Sequence, residues 1–483
     1  MIHIAGTKGK GSTAAFCEAL LRAVRPEGSS ARTGLYTSPH MVAARERIRI
    51  DGVPLSEEDF ARFFWEVWDR LGENTHRKYA ETALRPMYFR FMTLLALHTF
   101  LSLRVSATVL EVGIGGLYDS TNIVQRPVVT GVSALGIDHT AILGNTLEEI
   151  AFQKAGIFKA GVPALSVPQP TPAALDVLRK RAADVHAASF DVVPEDGRLA
   201  PVALGLPGRH QRSNASLALA LVRCFAATPA GTREFPGADA ALRVGEPDGP
   251  TLPEAAVRGL EDAFWPGRCQ VVPSRPATGA EYYLDGAHTR ESLQFCVQWF
   301  VEQVAKRGGR RVLIFNCTNG RSAATLLQAL LEQLDHDVPQ LAAQGSAAGP
   351  YAAGRSFFDE VLFCTNNTFA NGSSASDLLS KAVDAKDLAA MTVQRELLAA
   401  WRELLALPPA ADDAGSLHAE DPHGARASVV PSIEDAMAQA RAAGASAEEP
   451  AAVLVCGSLH LVGGVMAHLQ QHGALDERLA SMT

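Results

Sequence analysis

The chain has 483 residues, 47% hydrophobic and 20% charged, a length that calls for more than one core and a composition that suits a globular protein. A formal charge of −8 argues against a nucleic-acid partner or an anionic membrane surface. Its seven cysteines (17, 224, 269, 296, 317, 364 and 456) stand singly, without a Cys-x-x-Cys pair, which argues for reduced thiols and against a zinc site or a disulfide framework.

From the N-terminus, Ile2–Ala5 reads as a short apolar strand running into Gly6-Thr-Lys-Gly-Lys-Gly-Ser12 and then a helix over residues 12–24. Strand, glycine-rich turn and helix make a phosphate cradle. Gly6, Gly9 and Gly11 let the backbone take positive φ and approach an anion, the amides of residues 8–12 point inward, and the helix adds its positive end. Lys10 is placed over the β- and γ-phosphates of a nucleotide. The pattern departs from the general phosphate loop, because Gly11 rather than Ser or Thr follows the lysine.

Apolar runs at 47–50, 108–112, 128–135 and 162–167 alternate with helical periods, which predicts an α/β sheet, largely parallel and covered on both faces. Glu111 falls at the end of the 108–112 run, before Gly-Ile-Gly-Gly at 113–116, where such a sheet places acids that hold Mg²⁺. His139, in Gly136-Ile-Asp-His139, is expected at the neighbouring strand end. Thr146-Leu-Glu-Glu149 is a capping box for a helix over 146–155, with Lys154 two turns in. The apolar stretch 92–103 contains His98 and is too short to span a bilayer, and no signal or transit segment is visible. His3, His40 and His98 read as packing or loop residues.

Residues 213–224 read as an apolar helix on the sheet, and 228–250, rich in Pro, Gly and Ala, as a surface insertion. Beyond Trp265-Pro-Gly-Arg268, runs at 282–284, 311–315, 360–364 and 452–456 predict a second, doubly wound sheet. The stretches 338–355 and 408–428 are expected to be mobile loops without chemistry.

Some of these blocks are long enough to carry a resemblance. They are the 6–12 loop, the stretch 36–52 from Tyr-Thr-Ser-Pro-His to Arg-Ile-Asp-Gly, Leu110-Glu-Val-Gly-Ile-Gly-Gly-Leu-Tyr-Asp-Ser-Thr-Asn122, Gly136–His139 with Gln153-Lys-Ala-Gly156, and Trp265–Arg268 with Leu284-Asp-Gly-Ala-His288. In this order the chain closely resembles folylpolyglutamate synthase of the eukaryotic type, within the Mur-ligase-like ATP-dependent ligases. The likeness is strong over 1–330 and weak beyond.

The resemblance implies a P-loop Mur-ligase-like ATPase domain over 1–265 and a smaller Rossmann-like α/β domain over 266–483. It implies ATP on Thr7, Lys8, Gly9, Lys10, Gly11, Ser12, Asn214, Arg268 and Asp285, with Arg268 reaching in from the second domain. Two Mg²⁺ sites are implied, Ser38 with Glu111 at the first and His139 with Glu111 at the second. Arg47, His288 and Ser458 are implied for the incoming glutamate and its carboxylates, and Lys10, Lys154 and His288 for catalysis. The matching lysine in these ligases is carbamylated, which suits Lys154 because a bare ammonium would be repelled by Mg²⁺. A monovalent cation is compatible.

The implied reaction converts a folate γ-carboxylate to an acyl phosphate at the expense of ATP, after which the α-amine of L-glutamate attacks. Tetrahydrofolate or its polyglutamates, L-glutamate and ATP are the implied partners of a monomer that neither binds nucleic acid nor enters a membrane. A cytoplasmic location is implied, with a mitochondrial form left open. The alternative in the same class is dihydrofolate synthase or a bifunctional enzyme, and a cell-wall Mur ligase fits the substrate blocks less well. Relatives carry a helical segment before the first strand. The alternative of another class is an inactive nucleotide-binding module, should that segment be essential.

Overall fold

The computed structural model describes residues 1–483 apart from 75, 78, 80, 243–250, 276–278, 306, 318–321, 344–355, 372–389, 407–417, 421–424, 445–448 and 476–483. They sort into two units, Met1–His40 with Arg45–Trp265, and Met41–Ala44 with Pro266–Thr483.

The first unit is built on strands β1 (Ile2–Ala5), β2 (Thr33–Tyr36), β3 (Ile48–Ile50), β4 (Val53–Pro54), β5 (Ala107–Glu111), β6 (Val129–Val132), β7 (Ala164–Ser166) and β8 (Phe190–Val192). Their spatial order is β4-β3-β2-β5-β1-β6-β7-β8, with the β4–β3 and β3–β2 pairings antiparallel at one edge and every other pairing parallel. This is the largely parallel sheet that the alternating runs predict. The helices are α1 (Lys10–Ala23), α2 (Glu57–Glu73), α3 (Tyr88–Ser102), α4 (Thr140–Leu143), α5 (Leu147–Lys154), α6 (Pro172–Asp184), α7 (His210–Ala226), α8 (Pro229–Glu234), α9 (Ala238–Leu242) and α10 (Glu254–Glu261).

Period-two alternation along β1 decides what each face meets. Ile2 and Ile4 join Phe16 and Leu20 of α1, Leu217 and Leu221 of α7 and Leu260 of α10 in one core, while His3 takes the opposite side and its Nε2 bonds Thr121 Oγ1 at 2.8 Å. Burial pushes the His3 pKa down to about 3, so His3 is a neutral packing residue as expected.

Local sequence sets several helix starts. At α5 the Glu149 amide donates to Thr146 Oγ1 at 3.2 Å and the Thr146 amide to Glu149 Oε2 at 3.1 Å, closing the expected capping box. Thr171 caps α6, whose first residue is Pro172. Three expectations need correction. The 128–135 run is a strand only to Val132, because from Ala134 onward the chain turns to serve the glycine-rich loop. The first helix begins at Lys10, not residue 12, since Gly9 at φ 81 is its cap. The supposed insertion 228–250 forms α8 and α9, which bury Phe235, Ala238 and Leu242 in the core, while 243–250 lie outside the described residues.

The second unit holds β9 (Gln270–Val272), β10 (Ala280–Leu284), β11 (Arg311–Phe315), β12 (Glu360–Cys364), β13 (His418–Glu420), β14 (Arg426–Val430) and β15 (Ala451–Cys456) in the order β13-β14-β12-β11-β15-β10-β9. Its centre is parallel, and β9 and β13 are antiparallel edges. α11 (Arg290–Val304), α12 (Ala323–Ala343) and the helix Thr392–Leu404 share one core with Tyr283, Leu313, Phe363 and Leu454. The helices Ile433–Gly444 and Leu459–Gln471 pack on each other and against β15. The expected loop 338–355 therefore starts inside α12, and 408–428 includes β13 and the start of β14. Residues 344–355, 408–417 and 421–424 lie outside the described residues. Among the described residues no helix is long and apolar enough to cross a membrane.

Candidate active site

The glycines of the 6–12 loop each answer to a different neighbour. A Cβ on Gly6 would stand 2.0 Å from Ser133 Oγ, and one on Gly9, at φ 81, would stand 2.2 Å from Asn214 Oδ1. Gly11 is helical rather than left-handed, and its Cβ would meet Trp265 Nε1 at 3.4 Å and Glu111 Oε1 at 3.6 Å. The loop is tied down by Ala134, whose carbonyl accepts both the Thr7 and Lys8 amides at 2.9 and 3.0 Å, and by Thr7 Oγ1 donating to the Gly136 carbonyl at 3.1 Å. The Lys8 amide is thus turned away from any anion, contrary to expectation. What remains is the first turn of α1, where Lys10, Gly11 and Ser12 precede the first intrahelical bond, from the Thr13 amide to Gly9 O at 2.8 Å. Such a turn draws anions through its amides and its dipole. Lys10 folds over the loop, its Nζ 3.4 Å from Thr7 O.

Several predicted residues come together here. Glu111, 4% exposed, ends β5 in register with Ile4, and its Oε2 accepts the Ser38 amide at 3.0 Å. Asn214, on the first turns of α7, accepts from Thr13 Oγ1 at 3.5 Å and donates to Gln211 Oε1 at 2.9 Å. Gln211 in turn donates to Ser12 Oγ at 3.3 Å. Lys154 is no surface lysine. It is 3% exposed, and its Nζ donates to Gly6 O at 2.7 Å. Burial first, then the Lys10 and Lys8 charges, lower its pKa to about 7. Lys8 forms a partly exposed ion pair with Asp138 at 3.8 Å, of little energetic weight.

His139 is placed differently from the expectation. With β6 ending at Val132, it lies on an exposed turn at φ 53, where it opens α4 and its amide donates to Asp138 Oδ1 at 2.9 Å. Among the described residues no group of three or more His, Cys, Asp and Glu side chains gathers tightly enough to hold a metal. Mg²⁺ needs no such cage, since it takes one or two carboxylates plus phosphate oxygens and water. Glu111 and Ser38 beside the first turn of α1 fit that pattern.

Arg47, 7% exposed, donates from Nε to His40 Nδ1 at 3.0 Å and lies 5.1 Å from the centroid of the Tyr88 ring. His40, expected to be a packing or loop residue, is thus a partner of Arg47, and no motif in the sequence marks Tyr88. The available signal for His40 was its place in the same block as Arg47.

In the second unit the selected residues cluster at the carboxyl ends of β10 and β15. Asp285 Oδ2 accepts the Cys269 amide at 2.8 Å and the Cys269 thiol at 3.4 Å, and Oδ1 accepts the Ala287 amide at 2.8 Å. The carboxylate therefore clasps the residue after Arg268 to the residue before His288. Cys269 is held at φ 45, an unusual backbone for a residue with a Cβ. Arg268 donates to Gly267 O at 3.0 Å, and His288 Nδ1 is 2.7 Å from Gly286 O. Ser458 is 1% exposed and caps the helix Leu459–Gln471, its Oγ accepting the His460 amide at 3.2 Å.

No family model matches the sequence. The chain is 39% identical over 481 residues to folylpolyglutamate synthase of Neurospora crassa, covering 98% of this chain and 82% of the relative. It is 37% identical over 470 residues to folylpolyglutamate synthase of Saccharomyces cerevisiae, covering 96% and 76%. Among solved structures it is similar to Mycobacterium tuberculosis folylpolyglutamate synthase complexed with ADP and AMPPCP, with TM-score 0.66 and 24% identity over 97% of this chain and 90% of that one, a likeness of fold.

Proposed function

The chain belongs to the folylpolyglutamate synthase family of ATP-dependent ligases, and we propose that its ATP is bound and activated at the first turn of α1, with Glu111 and Ser38 beside it. One observation carries the placement. The Glu111 carboxylate accepts the Ser38 amide with one oxygen and turns the other toward Gly11, so an acid fit for a cation stands where the helix gathers anions.

A γ-carboxylate is inert toward an amine until its oxygen is made a leaving group. Transfer of the terminal phosphoryl of ATP to that oxygen gives an acyl phosphate. The α-amine of L-glutamate attacks its carbon, the new amide forms, and phosphate departs with the C–O bond electrons. The Lys10, Gly11 and Ser12 amides and the Lys10 ammonium hold the phosphates and offset the charge that moves along them. Glu111 and Ser38 would hold Mg²⁺, which supplies further charge neutralisation on phosphate oxygens. His139 is the candidate ligand of a second Mg²⁺. Asn214 sets the loop from α7, and Arg47, oriented by His40, takes a substrate carboxylate through its guanidinium fork.

Lys154 is suited to carbamylation by its surroundings. With its pKa near 7, much of it is the free amine at neutral pH, and only that form can add to the carbon of CO₂ and release a proton. Arg268 and Asp285 for the nucleotide, and His288 and Ser458 for glutamate, are assigned on family membership alone.

A coupled ADP-release assay with L-glutamate tests the reading, with tetrahydrofolate and dihydropteroate as rival acceptors. Turnover with tetrahydrofolate alone is expected. Turnover with dihydropteroate would favour the dihydrofolate or bifunctional alternative, and release with neither acceptor would overturn the ligase assignment. The names of the relatives at 37–39% identity favour the first outcome.

A further inference from the structure

Trp265, the last residue of the first unit, has no part in the reaction as assigned so far, yet its indole borders the phosphate turn. α10 brings it there. Gly259 lets α10 lie against α1, where a Cβ would be 3.0 Å from Leu20 Cα and from Ala23 Cβ, and Arg258 donates to Ala23 O at 3.2 Å. The chain then runs on to place the indole beside Gly11. In an α-helix the Cα–Cβ vector tilts toward the N-terminus, so the direction of a Gly11 Cβ leads to the mouth of the first turn. Trp265 Nε1 lies 3.4 Å from that Cβ position, and Glu111 Oε1 3.6 Å from it.

This accounts for the departure from the usual loop. Where other phosphate loops carry Ser or Thr after the lysine, a Cβ here would already touch the indole edge and stand beside the carboxylate, so a longer side chain would compete with them for that space. Glycine at 11 leaves that space to the indole and the carboxylate. The indole is also fixed in orientation, since the Arg49 guanidinium carbon lies 4.7 Å from its ring centroid. Arg49 is itself 3% exposed on β3, its Nε donating to Glu46 O at 3.2 Å. An indole N–H is a donor and nothing else, and among the described residues Trp265 Nε1 has no hydrogen-bond partner.

We propose that Trp265 is a phosphate-binding residue of this site, its Nε1–H donating to an oxygen of the nucleotide held at the first turn of α1, with Arg49 holding the ring in place. The proposal rests on the ATP reading above.

The test uses the full-length protein with Mg²⁺ and a nonhydrolysable ATP analogue. Protein carrying ¹⁵N-labelled tryptophan gives one indole N–H signal for each of its five tryptophans. The Trp265 signal is identified by its loss in Trp265→Phe, or by elimination from Trp65→Phe, Trp68→Phe, Trp299→Phe and Trp401→Phe. The Trp265 N–H signal is expected to shift downfield on nucleotide addition while those of Trp299 and Trp401 hold. By calorimetry Trp265→Phe, which keeps a ring over Arg49, is expected to weaken the analogue roughly tenfold, the loss of one bond to a charged acceptor. A merely structural tryptophan would lower thermal stability on substitution and leave the indole signal unmoved in the unaltered protein. Tight binding with an unmoved Trp265 signal overturns the proposal and spares the ATP reading. Absence of nucleotide binding overturns both.

Discussion

At the carboxyl end of β5 the Glu111 carboxylate accepts the amide of a distant segment, at Ser38, and stands beside the first turn of α1. At the carboxyl end of β10 the Asp285 carboxylate accepts the Cys269 and Ala287 amides and so ties together the strand end and the chain leading into β9. Both acids sit where parallel sheets place ligand groups, and both are buried. The first stands beside the turn proposed to hold phosphate, and the second is turned toward its own backbone. A similar difference separates Lys10, whose Nζ stands 3.4 Å from Thr7 O, from Ser458, whose hydroxyl caps a helix. Residues matched to one family's site can thus differ in what their removal does first, chemistry in the first unit and loop geometry in the second.

The largest effect should come from Lys10→Ala. It removes charge from a half-buried loop without opening a core, so turnover should fall by several kcal/mol of transition-state stabilisation, about 10³-fold or more. The melting temperature should stay within roughly 2 °C. A variant with more than a tenth of the wild-type rate would break the first half of the comparison.

Asp285→Ala should act in the opposite way. It leaves the buried Cys269 and Ala287 amides without their acceptor, a loss of about 2–4 kcal/mol in stability, read by urea unfolding. If stability is unchanged and only nucleotide affinity falls, Asp285 belongs with Lys10 as a group presented to ligand.

Lys154 sharpens the comparison through pH. Its folded pKa, about 7, lies below the ordinary lysine value of 10.5, so between these the unfolded chain holds a proton that the folded chain lacks. This contribution raises stability as pH climbs from 7 toward 10.5 and is wholly lost once pH falls below 7. Lys154→Met should therefore flatten the rise of stability with pH over that window in carbonate-free buffer. An unchanged slope would mean that the ammonium is tolerated in place.

The smallest effect is expected from Ser458→Ala, about 1 kcal/mol from a lost helix cap, with the glutamate KM following only as far as the loop shifts. A rise in glutamate KM beyond tenfold with unchanged stability would make Ser458 a substrate contact instead.

Much of this protein was legible before any coordinates. Alternating apolar runs marked both sheets, because a strand covered on both faces must be apolar along its length. The Thr146–Glu149 capping box and the glycine-rich turn after β1 are local in their physics, and residues a few positions apart sufficed to read them. Short or weakly patterned pieces escaped. β2 carries Thr33 and Gly34 and shows no continuous apolar run, and in α8 and α9 the Pro and Gly residues hide three buried apolar side chains within what reads as an insertion. In the sequence, Glu111 stands out by its place at a strand end, whereas Asn214 and Lys154 stand out through the family resemblance. Only the tertiary structure decided that Lys154 is buried on Gly6, that Asn214 fills the space a side chain at Gly9 would need, and that Trp265 and Glu111 close over Gly11. Those are contacts between segments far apart in the chain, made by helices packing on a sheet, and no spacing along the sequence encodes them.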